Sequence, residues 1–85
     1  MPYFVYFLRC SDQTLYIGIT TDLERRVDEH NHSSKGAKYT RARRPVALLY
    51  AESHDDKSSA LKRECELKRL SRLQKEVFLA SRTGR

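Results

Sequence analysis

The sequence predicts an α/β chain of the α+β kind: a small three-stranded antiparallel sheet flanked by helices, in the order β-β-α-loop-β-α-α. Three observations carry that prediction. Residues 3–9, Tyr-Phe-Val-Tyr-Phe-Leu-Arg, are dense in aromatic and β-branched side chains and read as a strand buried on both faces. Residues 16–30 pass from an apolar strand through Gly18 straight into an amphipathic helical pattern. Behind a third apolar run, capping residues open two more helical patterns.

Taken in order, Ser11-Asp12-Gln13 supplies turn chemistry, and residues 14–19 form the return strand of a hairpin. Thr21 followed by Glu24 matches a capping box, which places a helix N-cap at Thr21 and a helix running to about residue 32. At about 100° per residue, Leu23, Val27 and His30 share one face with Arg26 at its edge, whereas Arg25, Asp28 and Glu29 point to solvent. Residues 33–45 lack an apolar period and read as a loop closed by Pro45. Residues 46–51 form the third strand. Asp55 and Asp56 offer N-caps for a helix to about residue 70, with Ala60, Leu61, Cys65 and Leu67 as its apolar positions. Ser71 and Gln74 form a second capping box, opening a last helix with Leu73, Val77 and Ala80 on one face. Residues 81–85 should fray, so one domain spans 1–85 with its core at about 3–80.

Charge narrows the function. The net charge is +6 and the pI near 9.6, and Lys35, Lys38, Arg41, Arg43 and Arg44 fall in one loop that holds no acid. The rest of the chain is close to neutral, so the positive charge is focused where a polyanion would dock. No run approaches the roughly 20 apolar residues of a membrane span. The N-terminus lacks the basic segment and cleavage site of a signal peptide, and Cys10 and Cys65 match no metal or redox spacing. Free thiols in a cytoplasmic protein are the expectation, with nucleic acid as partner and no membrane.

Periodicity brings Arg26, His30 and Glu64 to inward or edge positions, and the strand tyrosines Tyr6 and Tyr16 can join them. Glu64 and Lys68 fall within the arc of the apolar residues on their helix, and a carboxylate there is costly unless it is paired or binds a metal. A hard-metal carboxylate, a guanidinium and an oxygen or imidazole base form the inventory of a phosphodiester hydrolase. Each residue also has an ordinary use. The tyrosines can be core aromatics, and Arg26 a partner of Glu64 or Asp28. His30 can be a satisfied core histidine, and Glu64 an ion pair with Arg26 or Lys68. Tyr39 and Thr40 suit either phosphate or base contacts or loop anchoring. His32 and His54 match nothing and read as surface.

Val5-Tyr6, Tyr16-Ile17-Gly18 ten residues on, then Arg26, His30 and Glu64, resemble the GIY-YIG nuclease domain over nearly the whole chain. The stretch Ala-Lys-Tyr-Thr-Arg-Ala-Arg-Arg-Pro-Val further resembles that family's small stand-alone bacterial subgroup, whose members are mostly of unassigned role. Phe4 replaces the first motif's glycine, Ile19 a lysine of some repair nucleases, and Lys68 an amide carried by other branches. The resemblance implies one-metal hydrolysis of DNA, in repair or DNA processing, with Mg²⁺ or Mn²⁺. Tyr6, Tyr16, Arg26, His30 and Glu64 would be catalytic and Glu64 the metal ligand. Lys35, Lys38, Tyr39, Thr40, Arg41, Arg43 and Arg44 would bind nucleic acid, DNA rather than RNA, with a protein partner as a source of specificity. The competing expectation is a non-catalytic or partner-dependent binding module that uses the basic loop 35–44. Which tyrosine acts as base is left open by the sequence.

Overall fold

A computed structural model describes residues 1–82. The elements are β1 (Tyr3–Arg9), β2 (Leu15–Thr20), α1 (Leu23–His32), α2 (Lys38–Arg41), β3 (Ala47–His54), α3 (Lys57–Lys68) and α4 (Arg72–Arg82). The sheet is antiparallel, in the order β2-β1-β3. Because β1 is central and helices cover both faces, the run from Val5 to Leu8 is buried without a break, as its composition predicts. Alternation sends Val5 and Phe7 to a core built with Ile17, Ala60, Leu67 and Leu79. Tyr6, Leu8 and Cys10 go to the opposite face, with Val46, Leu23 and Val27. Each such apolar side chain contributes about 1.5–3 kcal/mol.

The hairpin turn forms where expected. The Asp12 carboxylate accepts from the Thr14 amide and hydroxyl, while Gln13 takes a positive φ of 72°. A two-arginine clamp fixes that turn to the last helix. Arg9 donates to both Glu76 oxygens at 2.7 and 2.9 Å, and Arg9 and Arg72 both donate to the Gln13 carbonyl.

Several boundaries move. The cap of α1 is Asp22 rather than Thr21: its carboxylate accepts from the Arg25 amide, and its charge suits the positive helix end. The second capping box forms as read, Ser71 and Gln74 each accepting from the other's amide. The loop expected at 33–45 contains the helical turn α2, too short for periodicity to reveal. β3 runs three residues past its expected end, because Glu52, Ser53 and His54 pair with β1 despite their polarity. His54 is accordingly half-buried rather than surface, held by Glu52 at 2.6 Å and Ser59 at 2.8 Å.

The inward faces of the last two helices also differ. On α3, Ala60 and Leu67 are buried, but Leu61 and Cys65 face out and Arg63 turns in to Glu52 at 2.9 Å. On α4, Leu73 and Val77 are 73% and 61% exposed. Phe78 and Leu79 point inward instead, with Phe78 stacked on Phe7 at 5.8 Å and edge-on to Tyr50 at 5.3 Å. The aromatic area, together with the Glu76 clamp, outweighs the smaller Leu73 and Val77 and sets the helix phase. Ser81 and Arg82, expected to fray, lie within α4, and the remainder of that expected tail lies outside the described residues.

Candidate active site

The site grows from the cross-strand pair Tyr6↔Gly18. The Tyr6 phenol lies across β2 at the glycine, where an added Cβ would fall 2.6 Å from the Tyr6 hydroxyl and 2.8 Å from its ring carbon. Only glycine leaves that space, so Gly18 sets where the phenol can lie. The hydroxyl reaches Nε2 of the fully buried His30 at 2.8 Å. On the other side of the imidazole, Nδ1 lies 2.7 Å from the buried Thr40 hydroxyl, which donates to the Ala37 carbonyl at 2.9 Å.

The Ala37 amide approaches Nδ1 at 3.5 Å, but the shorter bonds set the direction of the chain. Thr40 gives its single hydroxyl proton to Ala37 at 2.9 Å, so Nδ1 carries the proton shared with Thr40 at 2.7 Å. Nε2 then accepts from Tyr6. Burial, with added repulsion from Tyr16 and Glu64, pushes the Tyr6 phenol up to about 12 against the opposing pull of Arg26. Burial and the Arg26 charge, with a smaller contribution from Arg44, push His30 down to about 4. At neutral pH the pair is therefore an uncharged phenol donating to an uncharged imidazole.

Tyr16 packs edge-on to His30 at 5.1 Å and tilted to Tyr6 at 6.4 Å. Arg26 is the inner arginine of α1, its side chain 25% exposed against 58% for Arg25, in keeping with the helix phase read from sequence. Glu29, expected in solvent, is instead drawn in by Arg26 and is 16% exposed. Nη1 of Arg26 donates to Glu29 and to the Lys35 carbonyl, both at 2.9 Å, so its partner is Glu29 rather than Glu64 or Asp28. Glu64 is half-buried on α3, within reach of the Tyr6 hydroxyl's field, and paired with Lys68 at 3.2 Å. The structure thus packs Tyr16 and His30 against the Tyr6 phenol, with the charges of Arg26 and Glu64 acting on it.

Among the described residues no three His, Cys, Asp or Glu side chains cluster as metal ligands. Glu64 is the carboxylate whose charge reaches Tyr6, and its partner Lys68 is 54% exposed. A single carboxylate offers one hard oxygen, the kind of ligand taken by a divalent ion that keeps several waters.

The basic loop divides. Lys35, Lys38, Tyr39 and Arg41 are exposed. Arg43 lies over the Tyr39 ring at 3.8 Å and pairs with Asp12 at 3.0 Å. Arg44, expected on nucleic acid, instead satisfies the last carbonyls of α1, donating to His30 at 2.6 Å, to Glu29 and to Ser33. Thr40, also expected there, is fully buried behind His30 and cannot reach a phosphate. Nothing in its sequence position announces this partnership ten residues away. For Gly18 the available signal is a glycine inside a strand pattern, which marks a close approach; the sequence reading takes it only as the passage from strand to helix.

The family model described as the GIY-YIG catalytic domain matches residues 2–76. A UPF0213 protein of Natronomonas pharaonis is 54% identical over 82 residues, covering 96% of this chain and 95% of that protein. One of Staphylococcus haemolyticus is 48% identical over 80 residues, covering 94% and 96%. The solution structure of a UPF0213 protein from Bacillus halodurans aligns with a TM-score of 0.65 and 43% identity, covering 99% of this chain and 88% of that one. A solved E. faecalis protein gives the same score at 41% identity, covering 95% and 85%. The relatives span archaea as well as bacteria, a wider range than the bacterial subgroup the motifs suggest.

Proposed function

Because the chain belongs to the GIY-YIG catalytic-domain family, whose membership points to a nuclease-type hydrolase, we propose that it is a metal-dependent endonuclease that cuts DNA phosphodiester bonds. The observation that carries this reading is the buried 2.8 Å bond from Tyr6 to His30, set beside Arg26 and Glu64. Glu64 would hold one Mg²⁺ or Mn²⁺ ion, which when bound supplies positive charge to polarise the scissile phosphate.

The chain's own groups do the rest. The Tyr6 oxygen takes a proton from the attacking water as its own proton passes to His30 Nε2. That transfer is transient, made against the burial and the Arg26 charge that hold the resting imidazole neutral. The water oxygen bonds to phosphorus, and the bond to the leaving oxygen breaks, that oxygen drawing its proton from solvent. Arg26 faces the charge that builds on the phosphoryl oxygens. Thr40 keeps Nδ1 protonated so that Nε2 stays free to accept. In this reading Tyr6 is the base and Tyr16 its packing neighbour.

The test joins two measurements on Glu64→Ala. Divalent-dependent nicking of supercoiled and single-stranded DNA should disappear. Thermal stability without metal should hold or rise, because a carboxylate kept for a metal is often a local liability. A structural pair with the half-exposed Lys68 predicts instead a small loss, about 0.3–0.5 kcal/mol for an i,i+4 pair, with any cleavage retained. A wild-type protein that cuts nothing with either ion, or a mutant that still cuts, would return Glu64 to Lys68 and leave a binding module.

Binding is expected to rest on Lys35, Lys38 and Arg41. Replacing the three with alanine should weaken DNA affinity regardless of sequence and flatten its dependence on log salt by about 0.7–0.9 for each phosphate no longer neutralised. An unchanged slope across a salt series would place the docking surface elsewhere.

A further inference from the structure

Beside Tyr16, between β2, α2 and the two C-terminal helices, lies an open cavity of about 280 Å³ lined by Leu15, Tyr16, Ile17, Tyr39, Lys68 and Lys75. Its aromatic wall is two rings at 6.2 Å and 23° to one another, Tyr16 and Tyr39. Tyr39 is 37% exposed yet not free to swing, since Arg43 lies over its ring at 3.8 Å, donates to its carbonyl and is itself anchored to Asp12. Two ammonium groups complete the lining. Lys68 links the cavity to Glu64, and Lys75 comes from α4, a helix the catalytic residues do not use.

Flat apolar surface for a ring, cations for a phosphate, and continuity through Tyr16 with Tyr6 and His30 describe one nucleotide. We propose that this cavity is a subsite for the nucleotide next to the scissile phosphate, its base laid against Tyr39 and Tyr16 and its phosphate held by Lys68 and Lys75. The volume lies just under the range of roughly 300–1,000 Å³ for pockets of drug-sized ligands, which suits one such unit and no more. A base can lie there only after leaving its stack, either in a single strand or extruded from a duplex. Sequence tolerance follows, because every base offers a π-face. The subsite rests on the nuclease reading for its place beside the cut, but its contacts are separate from those of Tyr6, His30 and Glu64.

The experiment uses wild-type protein in EDTA, so that nothing is cut, with oligonucleotides carrying 2-aminopurine at successive positions in single-stranded and duplex form. Binding should quench the fluorophore at the position seated on the tyrosines, in the single strand, the duplex or both. Tyr39→Ala should abolish that quenching and weaken affinity by about 5- to 100-fold, the loss of one base–aromatic stack. Tyr39→Phe should retain both. Lys75→Gln should lower affinity more mildly and reduce the salt slope by about one. Unchanged melting temperatures in these variants keep the comparison to binding. If Tyr39→Ala binds as wild type and no position is quenched, the subsite is wrong. If quenching follows Tyr39 while the protein cuts no DNA with Mg²⁺ or Mn²⁺, the subsite stands and the hydrolase reading falls.

Discussion

Tyr6→Phe is expected to slow DNA cleavage by about 10²–10⁴-fold, the usual worth of a positioned general base, with DNA affinity little changed. The substitution deletes one oxygen and keeps the ring that packs over Gly18. It also leaves His30 Nε2 buried without its 2.8 Å partner, at a cost of about 1–3 kcal/mol. A melting temperature lower by roughly 4–8 °C per kcal/mol should accompany the lost activity in a domain of this size. Since Tyr6 and His30 act as one unit, His30→Ala added to Tyr6→Phe should cost little further activity. Tyr16→Phe, which removes a hydroxyl outside that bond, should do less harm than Tyr6→Phe. If Tyr6→Phe cuts at the wild-type rate while Tyr16→Phe does not, the base is Tyr16 and the proton route through His30 is wrong.

The second large effect concerns acid. His30 is fully buried, and burial together with Arg26 pushes its pKa down to about 4 from an ordinary 6.5. Between those values the unfolded chain binds a proton that the folded chain refuses. Stability is therefore complete above pH 6.5, falls as the pH drops toward 4, and loses nothing further from this group below that. The linkage amounts to about 3 kcal/mol, a large share of what a domain this small is expected to have. Glu76 belongs to a separate window. Its hydrogen bond from Arg9 holds it at about 2, so its contribution is present above its ordinary 4.5 and fades only as the pH falls toward 2. Urea melts from pH 7.5 to 2, paired with an NMR titration of the His30 ring, check both signs. A stability flat from pH 7 to 5, or a His30 midpoint near 6.5, would contradict the buried neutral imidazole.

How much of this is legible in the sequence follows from what each signal depends on. The three antiparallel strands and, Glu29 apart, the phase of α1 are readable because they rest on local period and on a continuous apolar run. So is the separation of Arg26 from Arg25. The phases of α3 and α4 escape such a reading, because apolar identity alone does not fix which way a helix faces. Arg63 finds Glu52 across the sheet, and Phe78 finds Phe7 and Tyr50, partners 11 to 71 positions away that no helical wheel contains. Charge alone suggests that all five loop cations face outward. Yet Arg44 serves the open carbonyls at the end of α1, a need that becomes visible only once the helix end is placed.

The clamp between Arg9 and Glu76 also bears on the order in which the chain can assemble. β1 leaves the ribosome first, but its outer partner β3 begins at Ala47, and the carboxylate that secures Arg9 comes 67 residues after it. At synthesis rates of about 5–20 residues per second, the most apolar strand of the protein waits several seconds for its cover. The β1–β2 hairpin can form meanwhile, but a lone two-stranded hairpin is marginal in water. Folding of the sheet therefore waits on the longest loops, which close last. Nascent chains arrested before α4 should expose the 3–9 segment to chaperones and to one another, while the finished chain buries it.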